Sequence, residues 1–169
     1  MQALPDIVIR RAEAGDFDAL WPALRDVFRA GETYAVDRNI SREDTQAMWM
    51  QTPRATYVAE RGGTLLGTYF IKTNQAGGGA HVCNCGYVVT GAARGQGVAG
   101  AMCAHSQIEA VALGYQAMQF NCVVSTNVGA IRLWQRLGYE TVGLLPRAFD
   151  HPREGLIDAQ VMYKWLAGP

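Results

Sequence analysis

The chain has 169 residues, of which 49% are hydrophobic and 18% are charged, and such values are typical of a globular protein. That length predicts one domain, residues 1–169, with a sizeable core. The formal net charge of zero gives no electrostatic reason for a nucleic-acid or anionic-membrane partner. No stretch approaches the ~20 apolar residues of a membrane span, and residues 1–10 lack a signal-peptide core, so we expect a cytoplasmic protein.

Helical and strand-like patterns alternate along the chain. The elements predicted for the first half are a strand at 7–10, a helix capped by Asp16 and ended by Gly31, a helix at 42–51, and a hairpin with strands at 56–60 and 64–72. The elements predicted after them are a strand at 81–90, a helix at 97–113, a strand at 117–124, a helix capped by Asn127 and closed by Gly138, and strands near 140–144 and 157–165. This order predicts an α/β domain with a mixed sheet.

The four cysteines form no recognisable metal or disulfide pattern. Cys83 and Cys85 lie two apart in a predicted strand, so their side chains share one face and are not set for a simple bridge. No C-x-x-C pair occurs, and no histidine lies at zinc spacing. We therefore expect no metal site and interpret the cysteines as small buried side chains.

A glycine-rich turn joins the strand at 81–90 to the helix that follows it. The run from Gly86 to Gly100 reads GYVVTGAARGQGVAG. Such a turn presents unpaired backbone N–H groups at the positive end of the helix dipole, where a phosphorylated ligand binds well. Arg94 adds a positive charge, and Gly95 and Gly97 allow φ values closed to other residues. The turn therefore predicts a ligand that carries a pyrophosphate.

One interpretation of this turn is a dinucleotide site, since Gly95, Gly97 and Gly100 spell G-x-G-x-x-G. A dinucleotide fold needs an Asp or Glu roughly 20 residues on, at the end of the next strand. The strand at 117–124 contains no acid, and the chain beyond Gly97 is too short for the remaining strands of a Rossmann sheet. The nicotinamide interpretation is therefore disfavoured.

The second interpretation rests on two motifs in order. Residues 94–99, RGQGVA, match the R/Q-x-x-G-x-G/A pyrophosphate loop of the GNAT superfamily of acyl-CoA N-acyltransferases. Residues 127–139, NVGAIRLWQRLGY, resemble that superfamily's N-x-x-A-x-x-L-Y-x-x-x-G-F signature. The resemblance spans residues 55–165 and implies a GNAT fold. That fold is a mixed sheet of six to seven strands, splayed between the strands near 81–90 and 117–124 and flanked by about four helices.

The resemblance also implies acetyl-CoA as the cosubstrate. The residues that would bind it are Val88, Val89, Arg94, Gly95, Gln96, Gly97, Val98, Ala99, Asn127 and Trp134. In this superfamily the N–H at the position of Val89 meets the thioester carbonyl, and the amides of residues 94–99 cradle the pyrophosphate. Asn127 would hold the pantetheine arm, although it suits a helix N-cap equally well. Trp134 would pack near the thiol end.

The sequence departs from the superfamily at both proton-transfer positions. Trp134 stands where many members have a tyrosine that protonates the leaving thiolate, and an indole N–H is no acid near neutral pH. Coenzyme A would leave as a thiolate, or water or Tyr139 would protonate it. Asn84 stands where several members place a glutamate base, and an amide positions an amine or a water without taking its proton. Asn121 is expected to point into the same cleft.

The asparagine pair carries a narrower resemblance. Residues 84–89, 120–127 and 144–147 resemble the fungal acetyltransferases that detoxify the proline analogue azetidine-2-carboxylate. The resemblance implies that Val89, Asn84 and Asn121 are the catalytic set. Asn121 would anchor the substrate carboxylate and Asn84 would orient the ring amine. A purely structural role for either asparagine stays open, because a buried amide needs hydrogen-bond partners in any case.

The acceptor side is less clearly encoded. Glu32 and Tyr34 follow the first helix, where GNAT enzymes place the loop that covers the acceptor, and we take them as candidate substrate-binding residues. The prediction is an N-acetyltransferase that moves an acetyl group from acetyl-CoA to a small-metabolite amine by direct attack in a ternary complex. Acetylation of a protein or peptide amine and a non-catalytic acyl-CoA sensor stay open as alternatives, and the resemblance allows a homodimer.

Overall fold

The computed structural model describes residues 6–168. Its helical elements are a 3₁₀ turn at Ala14–Asp16, α1 at Phe17–Ala30, α2 at Arg42–Gln46, a π-helical turn at Ala47–Gln51, 3₁₀ turns at Gly77–Gly79 and Gly91–Ala93, α3 at Val98–Ala112, and α4 at Val128–Arg136. Its strands are β1 at Val8–Arg11, β2 at Ala55–Arg61, β3 at Thr64–Thr73, β4 at Val82–Val89, β5 at Ala117–Val124, β6 at Glu140–His151, and β7 at Gly155–Trp165.

The strands form one seven-stranded sheet in the order β1-β2-β3-β4-β5-β7-β6. Neighbours pair antiparallel except β4 and β5, which are parallel and joined through α3. The mixed sheet, its strand count and its four α-helices confirm the predicted fold class. Strands β6 and β7 are longer than predicted because they continue to a tight hairpin at Gly155.

Side chains alternate between the two faces of the sheet and build two cores. On one face, odd-numbered residues such as Tyr69 and Cys85 pack with Met102 and Cys103 of α3. On the other face, even-numbered residues such as Val58, Phe70 and Val88 pack with Phe28 of α1 and with Trp49. The sheet therefore has a different core on each face.

Two local details differ from the sequence prediction. Asp16 precedes α1, but its carboxylate makes no cap bond to that helix. Instead it accepts two hydrogen bonds from Arg10, at 2.8 and 2.9 Å, and one from the backbone N–H of Glu13. The predicted helix at 42–51 is continuous to Gln51, but its second half is a π-helical turn that buries Trp49.

The four cysteines are free, and three of them, Cys83, Cys85 and Cys103, are buried. Within residues 6–168, no three His, Cys, Asp or Glu side chains come together to hold a metal ion. None of the helices in that range is long and apolar enough to cross a bilayer.

Candidate active site

The two parallel strands at the centre of the sheet separate after a short contact. Strands β4 and β5 pair only at Val82–Ala117 and Cys83–Met118. Beyond that point β5 continues against β7, while β4 stays paired with β3 in an unbroken register as far as Val89. The splay expected between these strands is present, and it opens a gap along one edge of β4.

The backbone of β4 presents its polar groups to this gap. The N–H of Thr90 donates to the carbonyl of Leu66 at 2.9 Å, which makes Thr90 a hydrogen-bonded pair with β3. Because such pairs alternate along an antiparallel ladder, the N–H of Val89 and the carbonyl of Tyr87 point away from β3 and into the gap. A free backbone donor in a cleft suits an acyl oxygen that gains negative charge.

A cleft of about 800 Å³ runs through the gap to both faces of the sheet. The predicted site residues that line it are Glu32, Tyr34, Asn84, Val88, Val89, Arg94, Ala99, Asn121, Asn127 and Trp134. The other four, Gly95, Gln96, Gly97 and Val98, lie in the adjoining turn and do not form its wall. A second hollow of about 890 Å³, between α3, α4 and β7, contains none of the predicted residues.

The turn from β4 into α3 has the geometry of an anion cradle. Gly95 and Gly97 adopt left-handed φ values of 75° and 78°, and Gly97 is the N-cap of α3. The backbone N–H groups of Val98, Ala99 and Gly100 point out of the first helical turn and find no acceptor among residues 6–168. With the exposed side chain of Arg94 beside them, these donors fit a pyrophosphate.

Asn127 and Trp134 place α4 along the other wall of the cleft. The Asn127 carboxamide oxygen accepts from the N–H of Ala130 at 3.4 Å, so its predicted capping role is confirmed. Trp134 is 8% exposed, and its ring packs at 5.1 Å from Tyr87 and 5.2 Å from Phe120. Trp134 therefore offers the cleft an apolar wall without a titratable group.

Hydrogen bonds from side-chain amides cross the gap between the two strands. The Asn84 side chain donates to the backbone carbonyl of Gln119 at 2.9 Å, and the Gln119 side-chain amide donates to the side-chain oxygen of Asn121 at 2.9 Å. Asn121 in turn donates to Asn74 at 2.7 Å, and its side chain is exposed rather than buried. The structure thus links the two predicted asparagines through Gln119. The sequence prediction missed Gln119, although its place two residues before Asn121 puts both on one face of β5.

The loop after α1 reaches across the cleft to β4. The Tyr34 hydroxyl donates to the carbonyl of Tyr87 at 2.8 Å, and its ring packs against Phe28 and Trp49. Burial raises the pKa of Tyr34, so this hydroxyl stays protonated and acts as a donor. Glu32 forms an ion pair at 2.8 Å with Arg153, which lies in the turn between β6 and β7.

Tyr139 does not supply the missing acid. Its ring is 2% exposed and stacks on Phe120 beneath the cleft. Its hydroxyl contacts the sulfur atoms of Met118 and Cys103, and burial raises its pKa far above the usual range. The suggestion that Tyr139 protonates the thiolate is therefore wrong, because the motif places this side chain in the core.

The family of the chain follows from a comparison with known proteins. Residues 18–139 match the model of the Acetyltransferase (GNAT) family. The chain belongs to this family. A GCN5-related N-acetyltransferase from Kribbella flavida is 39% identical, with a TM-score of 0.91, and the alignment covers 96% of this chain and 99% of that one.

Two further proteins are similar to this GNAT chain, one in sequence and one in fold. The N-acetyltransferase aca1 of Schizosaccharomyces pombe is 28% identical over 78% of this chain and 71% of its own length. A phosphinothricin acetyltransferase from Sinorhizobium meliloti, solved in complex with acetyl-CoA, shares the fold at 18% identity, with a TM-score of 0.84 and coverage of 96% and 89%. The acetyl-CoA bound to that neighbour is the cosubstrate that the GNAT resemblance implies for this sequence.

Proposed function

We propose that this GNAT protein transfers an acetyl group from acetyl-CoA to the amine of a small metabolite, an amino acid or proline analogue, within a ternary complex. The observation that carries the proposal is the free N–H of Val89 in the gap, with the phosphate cradle on one side and the asparagine chain on the other. One cleft thereby joins a cofactor half to an acceptor half. We define the acceptor half by Tyr34, Trp49, Phe70, Asn84 and Gly86.

In the cofactor half, the Arg94 side chain and the backbone amides of Val98 and Ala99 would hold the pyrophosphate. Within the predicted range 94–99, the N–H groups of Arg94 and Gln96 already donate at 3.4 Å to the carbonyls of Gly91 and Ala93. Asn127 and Val88 would flank the pantetheine arm, and Trp134 would pack near its thiol end. When bound, acetyl-CoA supplies an acetyl thioester, whose acetyl group passes to the amine nitrogen while coenzyme A leaves as a thiolate.

The residues of β4 and β5 would orient the reacting amine and stabilise charge. The Val89 N–H would donate to the acyl oxygen as negative charge develops there. Asn84 would hold the amine in line for attack, and Asn121, linked to Asn84 through Gln119, would bind the substrate carboxylate. The amine must arrive neutral and lose its proton to water, since neither the asparagines nor Trp134 can exchange protons at neutral pH.

The small size of the acceptor is supported by the walls of its half of the cleft. The Phe70 ring lies over Gly86, and Tyr34 closes the loop side with its bond to Tyr87. The Glu32–Arg153 ion pair joins the same loop to the β6–β7 turn. The similarity to a fungal N-acetyltransferase agrees with the resemblance to azetidine-2-carboxylate acetyltransferases stated for residues 84–89 and 120–127.

The first experiment measures thiol release from acetyl-CoA with amino acids, proline analogues, polyamines and a basic peptide as acceptors. We expect turnover of small α-amino or cyclic amino acids in the wild type and a loss of roughly 100-fold in both Asn84→Ala and Asn121→Ala. Ser125→Ala is the control, because Ser125 directly follows β5 but makes no hydrogen bond to Asn84, Gln119 or Asn121. We expect this variant to retain wild-type activity. Turnover of the peptide alone, with both asparagine variants unaffected, contradicts the proposal.

The protein or peptide alternative has its own test in Arg153→Ala. This exposed ion pair contributes little to stability, so the variant should fold normally. If the pair closes the acceptor half, the variant should accept longer amines than the wild type does. Equal peptide activity in both proteins, above that with amino acids, favours the alternative.

We also propose a cytoplasmic homodimer, following the sequence prediction. The edge strand β6 carries exposed apolar side chains at Val142, Leu144 and Leu145, which are candidates for the contact. Light scattering on the purified chain tests the dimer, and a monomeric mass contradicts it.

A further inference from the structure

Lys72 lies in the acceptor half of the cleft and has no place in the site predicted from sequence. It is a residue of β3, and the register pairs it directly with Asn84 of β4. Cross-strand partners of an antiparallel pair project from the same face of the sheet. Lys72 and Asn84 are both half-buried, and both line the cleft.

The Lys72 ammonium is drawn along the cleft floor towards the gap. Its Nζ lies 5.4 Å from the centroid of the Phe70 ring, a cation–π distance. Phe70 is opposite Gly86, two pairs closer to Val89 than Lys72 is, and its ring fills the space that a Cβ at Gly86 would need. The lysine side chain therefore lies over an apolar surface made by Phe70. The ring of Trp49 packs against the Phe70 ring, with 4.8 Å between the two ring centroids.

The charges around the cleft leave this ammonium without a counter-ion. Two carboxylates line the cleft, and each already forms an ion pair with an arginine. Asp26 pairs with Arg25 at 3.0 Å, and Glu32 pairs with Arg153 at 2.8 Å. Within residues 6–168, no carboxylate oxygen comes within 4.0 Å of the Lys72 Nζ, and no hydrogen bond engages it. A cation held over apolar surface is stabilised when an anion enters beside it.

We infer that Lys72 binds a carboxylate of the acceptor, so that the substrates are amino acids and not simple amines. This rests on the proposed function, because it requires the acceptor amine to lie in the gap near Val89. Lys72 then fixes the other end of the same small molecule, while Asn84 lies between the two ends. An uncharged analogue leaves the ammonium unpaired, and a polyamine is repelled by it. Lys72 thereby shares the carboxylate role that the fungal resemblance gives to Asn121.

The test compares amino acids with their carboxamides as acceptors. Azetidine-2-carboxylate, proline, glycine and leucine are each assayed against the matching amide, with wild type, Lys72→Met and Lys72→Arg. In the wild type, kcat/KM should favour each acid that is a substrate over its amide. Lys72→Met should raise KM for the acid by roughly 10- to 100-fold, the range expected for a lost charged hydrogen bond, with little change for the amide. Lys72→Arg should restore most of the preference.

A binding readout keeps the inference separate from turnover. Calorimetry measures the binding of each amino acid to the protein saturated with coenzyme A, and of coenzyme A itself to Lys72→Met. We expect amino-acid binding to weaken in Lys72→Met while coenzyme A binding is unchanged. Equal use of acid and amide by the wild type, or an unchanged preference in Lys72→Met, overturns the inference but leaves the proposed function intact. If no small amine is acetylated, the proposed function fails, and absence of any Lys72-dependent amino-acid binding then overturns the inference as well.

Discussion

The hydroxyl of Tyr34 donates a 2.8 Å hydrogen bond to the backbone carbonyl of Tyr87, 53 residues further along the chain. This carbonyl would accept a hydrogen bond from β5 if β4 and β5 were paired along their full length. The side chain of a loop residue therefore satisfies a backbone group that the splay left unpaired. The bond ties the acceptor loop to the strand that carries the Val89 N–H.

Removal of this hydroxyl in Tyr34→Phe should affect acceptor use more than cofactor binding. The Tyr87 carbonyl loses its partner, and we expect a loss of about 1 kcal/mol in the free energy of unfolding. The KM for the acceptor should rise, while the dissociation constant of coenzyme A stays the same. Tyr163→Phe is the matched control, because the Tyr163 hydroxyl makes no hydrogen bond within residues 6–168. Equal effects of the two variants on KM contradict the role given to Tyr34.

Gly86→Ala tests the floor of the acceptor half. A Cβ at this position would lie 2.6 Å from Phe70 Cε1 and 3.1 Å from the Tyr34 hydroxyl, so the ring must move. We expect a destabilisation of about 1–3 kcal/mol, as for other overpacked sites, together with loss of acceptor turnover. Gly15→Ala, where a Cβ meets nothing within 4 Å, should change neither quantity. Urea unfolding and steady-state kinetics on both variants make the comparison.

The cradle is tested by a pair of glycines that share a backbone conformation. Gly95 and Gly114 have φ values of 75° and 93°, and a Cβ at either meets nothing within 4 Å. Alanine at each should therefore cost a similar 1–2 kcal/mol or so of backbone strain. Only Gly95→Ala should weaken coenzyme A binding, by roughly tenfold, because Gly114 lies at the far end of α3. Calorimetry decides, and equal affinities in the two variants argue against a cradle at residues 94–99.

His105 should make stability depend on pH in the range where histidines titrate. Burial lowers its pKa below the usual 6.5, and its Nδ1 lies 2.7 Å from the Tyr69 hydroxyl. The unfolded chain then binds the proton more readily, so this contribution to stability is present above about pH 6.5 and is lost as the pH falls below that value. His105→Gln should flatten the decline between pH 7.5 and 5.5 in urea unfolding.

The carboxylate of Asp16 contributes to stability outside that window. Hydrogen bonds from Arg10 lower the pKa of Asp16 below 3.8, so its contribution is lost only in stronger acid. His81→Gln, at an exposed position, is the control for His105→Gln. A slope that neither substitution changes means that His105 does not set the pH dependence.

Local sequence patterns are sufficient to predict contacts within a single turn of the chain. Asn127 is the N-cap that its position before an apolar-periodic run predicts, because a cap bond spans only three residues. Asp16 has the same local signature, yet its carboxylate is taken by Arg10 from β1, since an ion pair with two hydrogen bonds outweighs one cap bond. Long-range partners of this kind cannot be read from spacing.

The site shows the same limit. The glycine turn and the asparagines stand out in the sequence because their chemistry is unusual for their elements. Lys72 does not stand out, because a lysine near the end of a strand usually indicates an exposed position. The pairing of Lys72 with Asn84 depends on the register between β3 and β4, which the sequence does not specify. The burial of Tyr139 likewise depends on how α4 and β5 pack together. Both are settled by the tertiary structure alone.

The short contact between β4 and β5 has a consequence for how ligands of this protein can be found. Past Cys83 the free edge of β4, apart from the Tyr87 carbonyl that Tyr34 binds, must be solvated in the unliganded protein, and we expect an amide-containing ligand to take the place of the missing strand. A ligand that binds only the folded chain raises its free energy of unfolding, by about 2.7 kcal/mol at a hundredfold excess over Kd. The melting temperature therefore reports ligand binding to the folded chain. Acceptors can therefore be screened by the shift in melting temperature that they cause in the presence of coenzyme A, where no acetyl transfer takes place.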